Sequence, residues 1–272
     1  MGIFPEFGGW IDQNTQQEPL KADSKRSENV KSESGSSDIN TCEERDEMKE
    51  QLTLWRESEK KKQWYDPPPK VKVERRNDLV KGMTTIDMEF TLGLPPQAAY
   101  DVLTNPDNQQ YSRIIKGHYL LENISRKVVS PDTGKGKMVQ TKKAIGWNFL
   151  YWSGAIPITA SFLEQRKLLT VDYSIENEMF INMLEGQYKL EPLFVDSERF
   201  CKHMKPKCRE EYEKCSCGQG RIATKVKVEQ VFKPTFLFNL PPLSWLVRRI
   251  TIKVMKTIIQ DLQINGAVIR GV

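Results

Sequence analysis

The chain has 272 residues, enough for one or two domains, and only 38% of them are hydrophobic, so a polar appendage beside the packed part is expected. Residues 1–70 hold 11 Lys/Arg against 15 Asp/Glu, net −4, while the remainder holds 30 against 21, net +9. A basic body behind an acidic leader fits anionic surfaces as partners, but no stretch is apolar for long enough to span a bilayer, which excludes a transmembrane anchor. The opening MGIFPEFGGW lacks the basic and apolar regions of a secretory signal, and Glu6 stands where N-myristoylation needs Ser or Thr. An intracellular, cytoplasmic setting is expected, with reduced thiols at Cys42, Cys201, Cys208, Cys215 and Cys217. A chloroplast is the alternative, although acidic residues near the start are unlike a transit peptide.

Residues 1–40 form the leader: an aromatic motif of Phe4, Phe7 and Trp10, then a polar run over 21–40 expected to be disordered. Residues 41–69 are a charged helix with an apolar stripe at Met48, Leu52 and Trp55, closed by Pro67, Pro68 and Pro69. A domain boundary near residue 70 follows, and 70–272 is the main domain. It opens with a strand over 81–92, in which Ile86, Met88, Phe90 and Leu92 alternate with Asp87, Glu89 and Thr91. The helix PQAAYDVLTNP comes next, then a second short helix near 108–114. Strands are expected near 119–129, 136–145, 148–153, 156–163, 168–176 and 180–194, with a hairpin turn at Pro131-Asp132-Thr133-Gly134. A Cys-rich excursion covers 195–220 with one helix near 207–214, and a last strand covers 221–232. The chain ends on an amphipathic helix over 243–264, with Val247, Ile250, Val254, Ile258 and Leu262 on one face. Leu246, Met255 and Ile259 widen that face; Arg248, Arg249, Lys253 and Lys256 point outward, Ser244 is the expected N-cap and Gly266 the expected stop.

This order gives an α+β fold: a curved antiparallel sheet of about six or seven strands wrapped on a long C-terminal helix. Residues 79–264 resemble the START and polyketide-cyclase superfamily, which includes the birch-pollen allergen type and has the helix-grip layout. The resemblance rests on the entry strand followed by GLPPQAAYDVLTNPDN and on MLEGQYKLEPL. Nearly the whole chain resembles a plant protein family of unknown function through GWIDQNTQQEPLK, FLYWSG, EGQYKLEPLFVD, KPKCREEYEKC, GQGRIATKV and LPPLSWLVRRIT. It departs from that family at Cys215-Ser216-Cys217.

Catalytic motifs are lacking. The Cys spacings C-x6-C-x6-C-x-C are not those of paired zinc knuckles, so no metal is expected. His118 and His203 sit in no nucleophile motif, and Thr133–Lys137 is a hairpin, not a phosphate loop before a helix. Aromatics are not interleaved with Lys/Arg on an exposed face, so nucleic acid is not an expected partner. No cofactor is expected, and the chain is expected to act as a monomer. What remains is the apolar interior. Its candidate ligand cavity is lined by Phe90, Trp147, Phe149, Tyr151, Phe162, Tyr173, Tyr188 and Val228 from the sheet and by Val247, Ile250, Val254 and Ile258 from the last helix. The reading is a binding module for a hydrophobic small molecule or lipid, in transfer or sensing, with transient contact to an anionic membrane. Two alternatives stand beside it: a cyclase- or isomerase-type enzyme with a pocket Tyr or carboxylate as acid–base, and an interaction module with a filled core.

Overall fold

The computed structural model describes residues 37–76, 83–105, 121–132, 134, 136–149, 152–176, 181–240 and 243–272, with side chains throughout except at 37–43, 75–76, 121–124, 143, 145–149 and 152–156. Backbone contacts divide the chain into Met1–Ile39, described only at Ser37–Ile39, and Asn40–Val272. The elements of the second unit are β1 (Lys70–Arg76), β2 (Met83–Leu92), α2 (Pro96–Thr104), β3 (Leu121–Ser130), β4 (Lys137–Phe149), β5 (Trp152–Gln165), β6 (Thr170–Glu176), β7 (Ile181–Phe194), α3 (Ser197–Phe200), α4 (Arg209–Ser216), β8 (Ile222–Pro234), a 3-10 turn (Phe236–Asn239) and α5 (Leu243–Arg270); α1 (Ser37–Lys61) begins just before it.

All eight strands join one antiparallel sheet in the order β1-β2-β8-β7-β6-β5-β4-β3. The order sets the first and last long strands side by side, and α5 follows β8 back over one face. This is the helix-grip arrangement. Period-two alternation fixes which face is inside: Ile86, Met88, Phe90 and Leu92 are buried while Asp87, Glu89 and Thr91 are half-buried. One buried cluster gathers these β2 residues with Val226, Val228 and Phe232 of β8, Tyr188 and Leu190 of β7, Ala98, Ala99 and Val102 of α2, and Met255, Ile259 and Leu262 of α5.

The sheet has eight strands where about six or seven were expected. The additional strand is β1, whose residues Lys70–Arg76 pair with Met83–Glu89, ahead of the strand expected to open the domain. The strand expected over 148–153 is instead the meeting of two: Phe149 closes β4 and pairs with Trp152, which opens β5. The second short helix near 108–114 lies outside the described residues.

The last helix runs beyond its expected stop. Gly266 is helical, and the residue with positive φ that follows the helix is Gly271 (φ +90°). Ser244 is not a cap; its amide donates to the Leu240 carbonyl at 2.9 Å. The buried side is turned from the expected stripe toward Met255, Ile259, Leu262, Gly266 and Arg270, which keep the same helical steps of three and four. Ile250 and Val254 are half-buried, and so is Arg248, which was expected to point outward; Arg249, Lys253 and Lys256 are exposed.

The helix continues because Arg270 has partners. Its side chain is 1% exposed and bonds Glu59 at 2.6 Å and Asp66 at 3.4 Å, themselves 5% and 4% exposed. Its other donors reach the carbonyls of Gly93 and Trp64, both at 3.3 Å. Gly93 is obligatory there, because a Cβ would stand 2.5 Å from the Arg270 guanidinium and 2.8 Å from Trp64. Burial pushes the Asp66 carboxyl above its ordinary range, against the opposing pull of a Trp64 hydrogen bond and the Arg270 charge. Upstream, the α1 side chains Gln51 and Trp55 bond the backbone where β8 begins: Gln51 accepts from Ile222 N at 3.0 Å, and Trp55 Nε1 donates to Ile222 O at 2.9 Å.

The excursion is a disulfide-closed hairpin of helices. Cys201 and Cys215, expected as thiols, are joined, with Cα atoms 5.2 Å apart. Linear spacing hid this because α3 and α4 fold back on each other and bury Cys201 with Tyr212 and Ile222, Cys215 packing against them. Cys208 and Cys217 are free and exposed.

Replacing Arg270 by Ala should leave two buried carboxylates without a counter-charge and lower unfolding stability by about 3–5 kcal/mol, measured by urea denaturation. Asp261 of α5 gives a pH signature. Its Oδ1 is buried without a hydrogen-bond partner among the described residues, and burial pushes its carboxyl up to about 6. Because this lies above the unfolded value of about 3.9, the native state binds more protons between the two values, and the contribution to stability falls as pH rises through that window. Asp261→Asn should therefore be more stable than the parent at pH 7 and flatter between pH 4 and 6 in the same denaturation measurement.

Candidate functional site

The inner sheet face carries a row of directly opposed residues: Ile86, Gln230, Gly186, Tyr173, Phe162 and Val139 on β2, β8, β7, β6, β5 and β4. Gly186 is the reason this row works. A Cβ at that position would stand 2.5 Å from Cζ of Tyr173, so the missing side chain leaves room for the phenol ring to lie across β7. The phenol then reaches β8, where it donates to Gln230 Oε1 at 2.7 Å. In the adjacent row, Tyr188 packs its ring 5.3 Å from that of Tyr173, and Phe162 lies 6.2 Å away on the other side. Three strands thus supply a continuous aromatic wall with one polar bridge set into it.

That bridge is incomplete. Gln230 is 1% exposed, yet its Nε2 has no hydrogen-bond partner among the described residues. Thr141 Oγ1 of β4 is buried in the same condition. A buried donor left unpaired costs about 1–3 kcal/mol, so each marks a place where a water or a ligand atom fits. Tyr173 and Tyr188 are held neutral: burial pushes both phenols well above their ordinary range. They are hydrogen-bond donors and not bases near neutral pH. Glu164 faces the same side, opposite Val171, and is bound to Arg126 at 2.6 Å.

The expected lining residues divide into three groups. Phe90, Tyr173, Tyr188 and Val228 are buried in the main cluster, with Phe162, Val247 and Ile258 packed against it. Ile250 and Val254 are half-buried on α5. Tyr151 lies outside the described residues; Trp147 and Phe149 belong to β4, where they pair with Gly154 and Trp152, and their side chains lie outside those described. Sequence reasoning missed Gln230, although the signal was present: it sits at inward parity between Val228 and Phe232. It also missed that Gly186 and Tyr173 are a single unit, which only the register reveals.

A concavity of about 780 Å³ opens on the outer face of the sheet, lined by Asp87, Glu229, Gln187 and Asp172 in one cross-strand row together with Glu74 and Glu185, and bordered also by Phe162, Tyr173, Gly186 and Gln230. It is open and acidic, unlike the apolar enclosed sites that hold small molecules.

The family described as Domain of unknown function DUF220 matches residues 70–272. No curated protein matches the chain. Among solved structures the chain is similar to Ara h 8.0201, at 15% identity over 68% of this chain and 98% of that one, with a TM-score of 0.39. It is also similar to the Zhui aromatase/cyclase from Streptomyces sp. R1128, at 11% identity over 68% and 91% with a TM-score of 0.39. A third is ginseng major latex-like protein 151 from Panax ginseng, at 6% identity over 68% and 97% with a TM-score of 0.37. Likeness at this level says nothing of what this chain binds.

Gly186→Ala should force the Tyr173 ring off β7 and break its bond to Gln230. The expected cost is about 1–3 kcal/mol, read by urea denaturation, with a changed near-ultraviolet circular dichroism signal. An unchanged spectrum and midpoint would mean that the ring does not lie over Gly186.

Proposed function

The chain belongs to the DUF220 family, and we propose that it holds a hydrophobic small molecule or lipid between the inner sheet face and the N-terminal half of α5. The observation that carries this reading is the unpaired Gln230 Nε2 beside the Tyr173 phenol, a buried donor set in an aromatic wall. The helix supports it. Met255, Ile259 and Leu262 are buried against β2 and α2, whereas Val247, Ile250, Ile252 and Val254, upstream of them, and Ile258 between them remain half-buried. An apolar ligand covering about 300 Å² of such surface would gain about 7 kcal/mol at about 25 cal/mol per Å², before the cost of immobilising it. Its apolar body would lie against Phe162, Tyr173 and Tyr188, and an oxygen on it would accept a hydrogen bond from Gln230 Nε2.

Acid–base catalysis has less support. The phenols of Tyr173 and Tyr188, like that of Tyr100 in the same cluster, are held protonated by burial, and Glu164 is bound to Arg126. If the ligand is a lipid, it is exchanged with a membrane, and the exposed basic residues Arg249, Lys253 and Lys256 of α5 are the side we assign to that transient contact.

The test is native mass spectrometry and solvent extraction of the purified chain, followed by titration with apolar fluorescent probes. A co-purifying apolar molecule, or a saturable probe, is expected. Gln230→Leu should weaken probes bearing a carbonyl or hydroxyl by about three- to tenfold and leave a pure hydrocarbon probe unchanged. A chain that carries nothing and binds no probe has a filled interior, and the reading fails.

A further inference from the structure

The strongest unexplained surface is at the junction of β8 and α5. Phe236 is 79% exposed, Leu237 66%, Leu240 48%, Leu243 40%, Trp245 58% and Leu246 46%. Six large apolar side chains in eleven residues are thus open to solvent, whereas the other exposed ones among the described residues are more thinly spread, the largest set being Ile264, Val268 and Val272 at steps of four. Single exposed apolar residues are ordinary, but a dense group marks a surface that is covered in use.

Charge indicates what covers it. From Gln230 to Gln260 the sequence has no Asp or Glu, but it has Lys233, Arg248, Arg249, Lys253 and Lys256. Arg249 lies with its guanidinium 5.3 Å from the Trp245 ring, so the indole and the charge are presented together. Lys256 is exposed two turns further along the helix. An indole beside a guanidinium, with aliphatic residues before them and lysines behind, is the composition of a segment that lies in a lipid interface. None of the described helices is long and apolar enough to cross a membrane, so the segment would lie in the surface and not span it.

We propose that Phe236, Leu237 and Leu240 of the turn and Trp245 and Leu246 of the first turn of α5 form a membrane-inserting wedge, entering the acyl boundary of an anionic leaflet while Arg249 and Lys256 contact its headgroups. This deepens the membrane contact assigned above and rests on it, but it moves the main contact from the basic helix face to the apolar turn that precedes it. The wedge lies next to the half-buried stretch of α5 that begins at Val247, so insertion would bring the lipid phase to the end of the proposed ligand site. The same composition fits a second copy of the chain less well, because a self-complementary interface would set these cations against one another.

The test uses the full chain and vesicles of phosphatidylcholine with and without about 30% phosphatidylserine, which gives an anionic surface. Binding is read by co-sedimentation, and depth by quenching of Trp245 with brominated acyl chains, taking Trp245→Phe as the blank. The wild type is expected to bind the anionic vesicles, with Trp245 quenched. Phe236→Ser/Leu237→Ser should lose about tenfold or more in partitioning, with unchanged circular dichroism, since both residues are exposed. Arg249→Gln/Lys256→Gln should lose about fivefold per residue and lose its preference for anionic vesicles. If the charge variant loses binding and the apolar variant does not, the wedge is overturned and the membrane contact stands. If the wild type binds neither vesicle, both fail, while the apolar-probe titration still decides the ligand reading separately. A wild-type dimer that Phe236→Ser/Leu237→Ser turns into a monomer would make the turn a contact between copies and overturn the proposal.

Discussion

The guanidinium of Arg270 is the knot in this chain. It lies near the C-terminus and meets Glu59 at the end of α1, Asp66 and Trp64 in the segment after it, and Gly93 between β2 and α2. Its face lies 5.5 Å from the ring of Trp55, which is itself fully buried and set edge-on to Trp64. An ion pair this deep gives up solvation that is recovered only when every partner is present. It therefore specifies one arrangement: the end of α5 must meet the end of α1 across the turn at Gly93. Once that end is fixed, the rest of α5 has no freedom to choose which side it lays on the sheet.

Two behaviours follow within one helix. Near Arg270 the helix is closed on the sheet by Met255, Ile259 and Leu262, which join the main buried cluster. Toward Leu243 the same helix is only half covered, and its first turn and the residues before it are largely exposed. The fold is held shut at one end and is thinly packed at the other. The ligand site proposed above draws on the thinly packed part, so rigidity and the candidate site are separated along a single element.

Much of the architecture was legible in the sequence. The alternation Ile86-Asp87-Met88-Glu89-Phe90 fixed the strand and its inward face, and the apolar spacing of the last helix fixed its existence. What escaped depended on contacts distant in sequence. Arg270 reads as a terminal surface residue until Glu59 and Asp66 are beside it. Gly266 reads as a helix stop because local propensity carries no knowledge of tertiary partners that keep the helix going. The pairing of Cys201 with Cys215 depends on how α3 and α4 fold back, which spacing does not encode. Gln230 was overlooked for a different reason: a polar residue at inward parity looks like an error in the pattern, although such positions are where a site differs from a core.

The position of α1 bears on how this protein can be handled. The matched span begins at residue 70, yet Gln51, Trp55, Glu59, Trp64 and Asp66 all precede it. A recombinant fragment trimmed to that span would retain the guanidinium in its apolar seam with no counter-ion, and would leave both backbone groups of Ile222 without the side chains that satisfy them. Poor yield or clumping of such a piece would report the missing strap, and not a defect in the sheet it leaves uncovered.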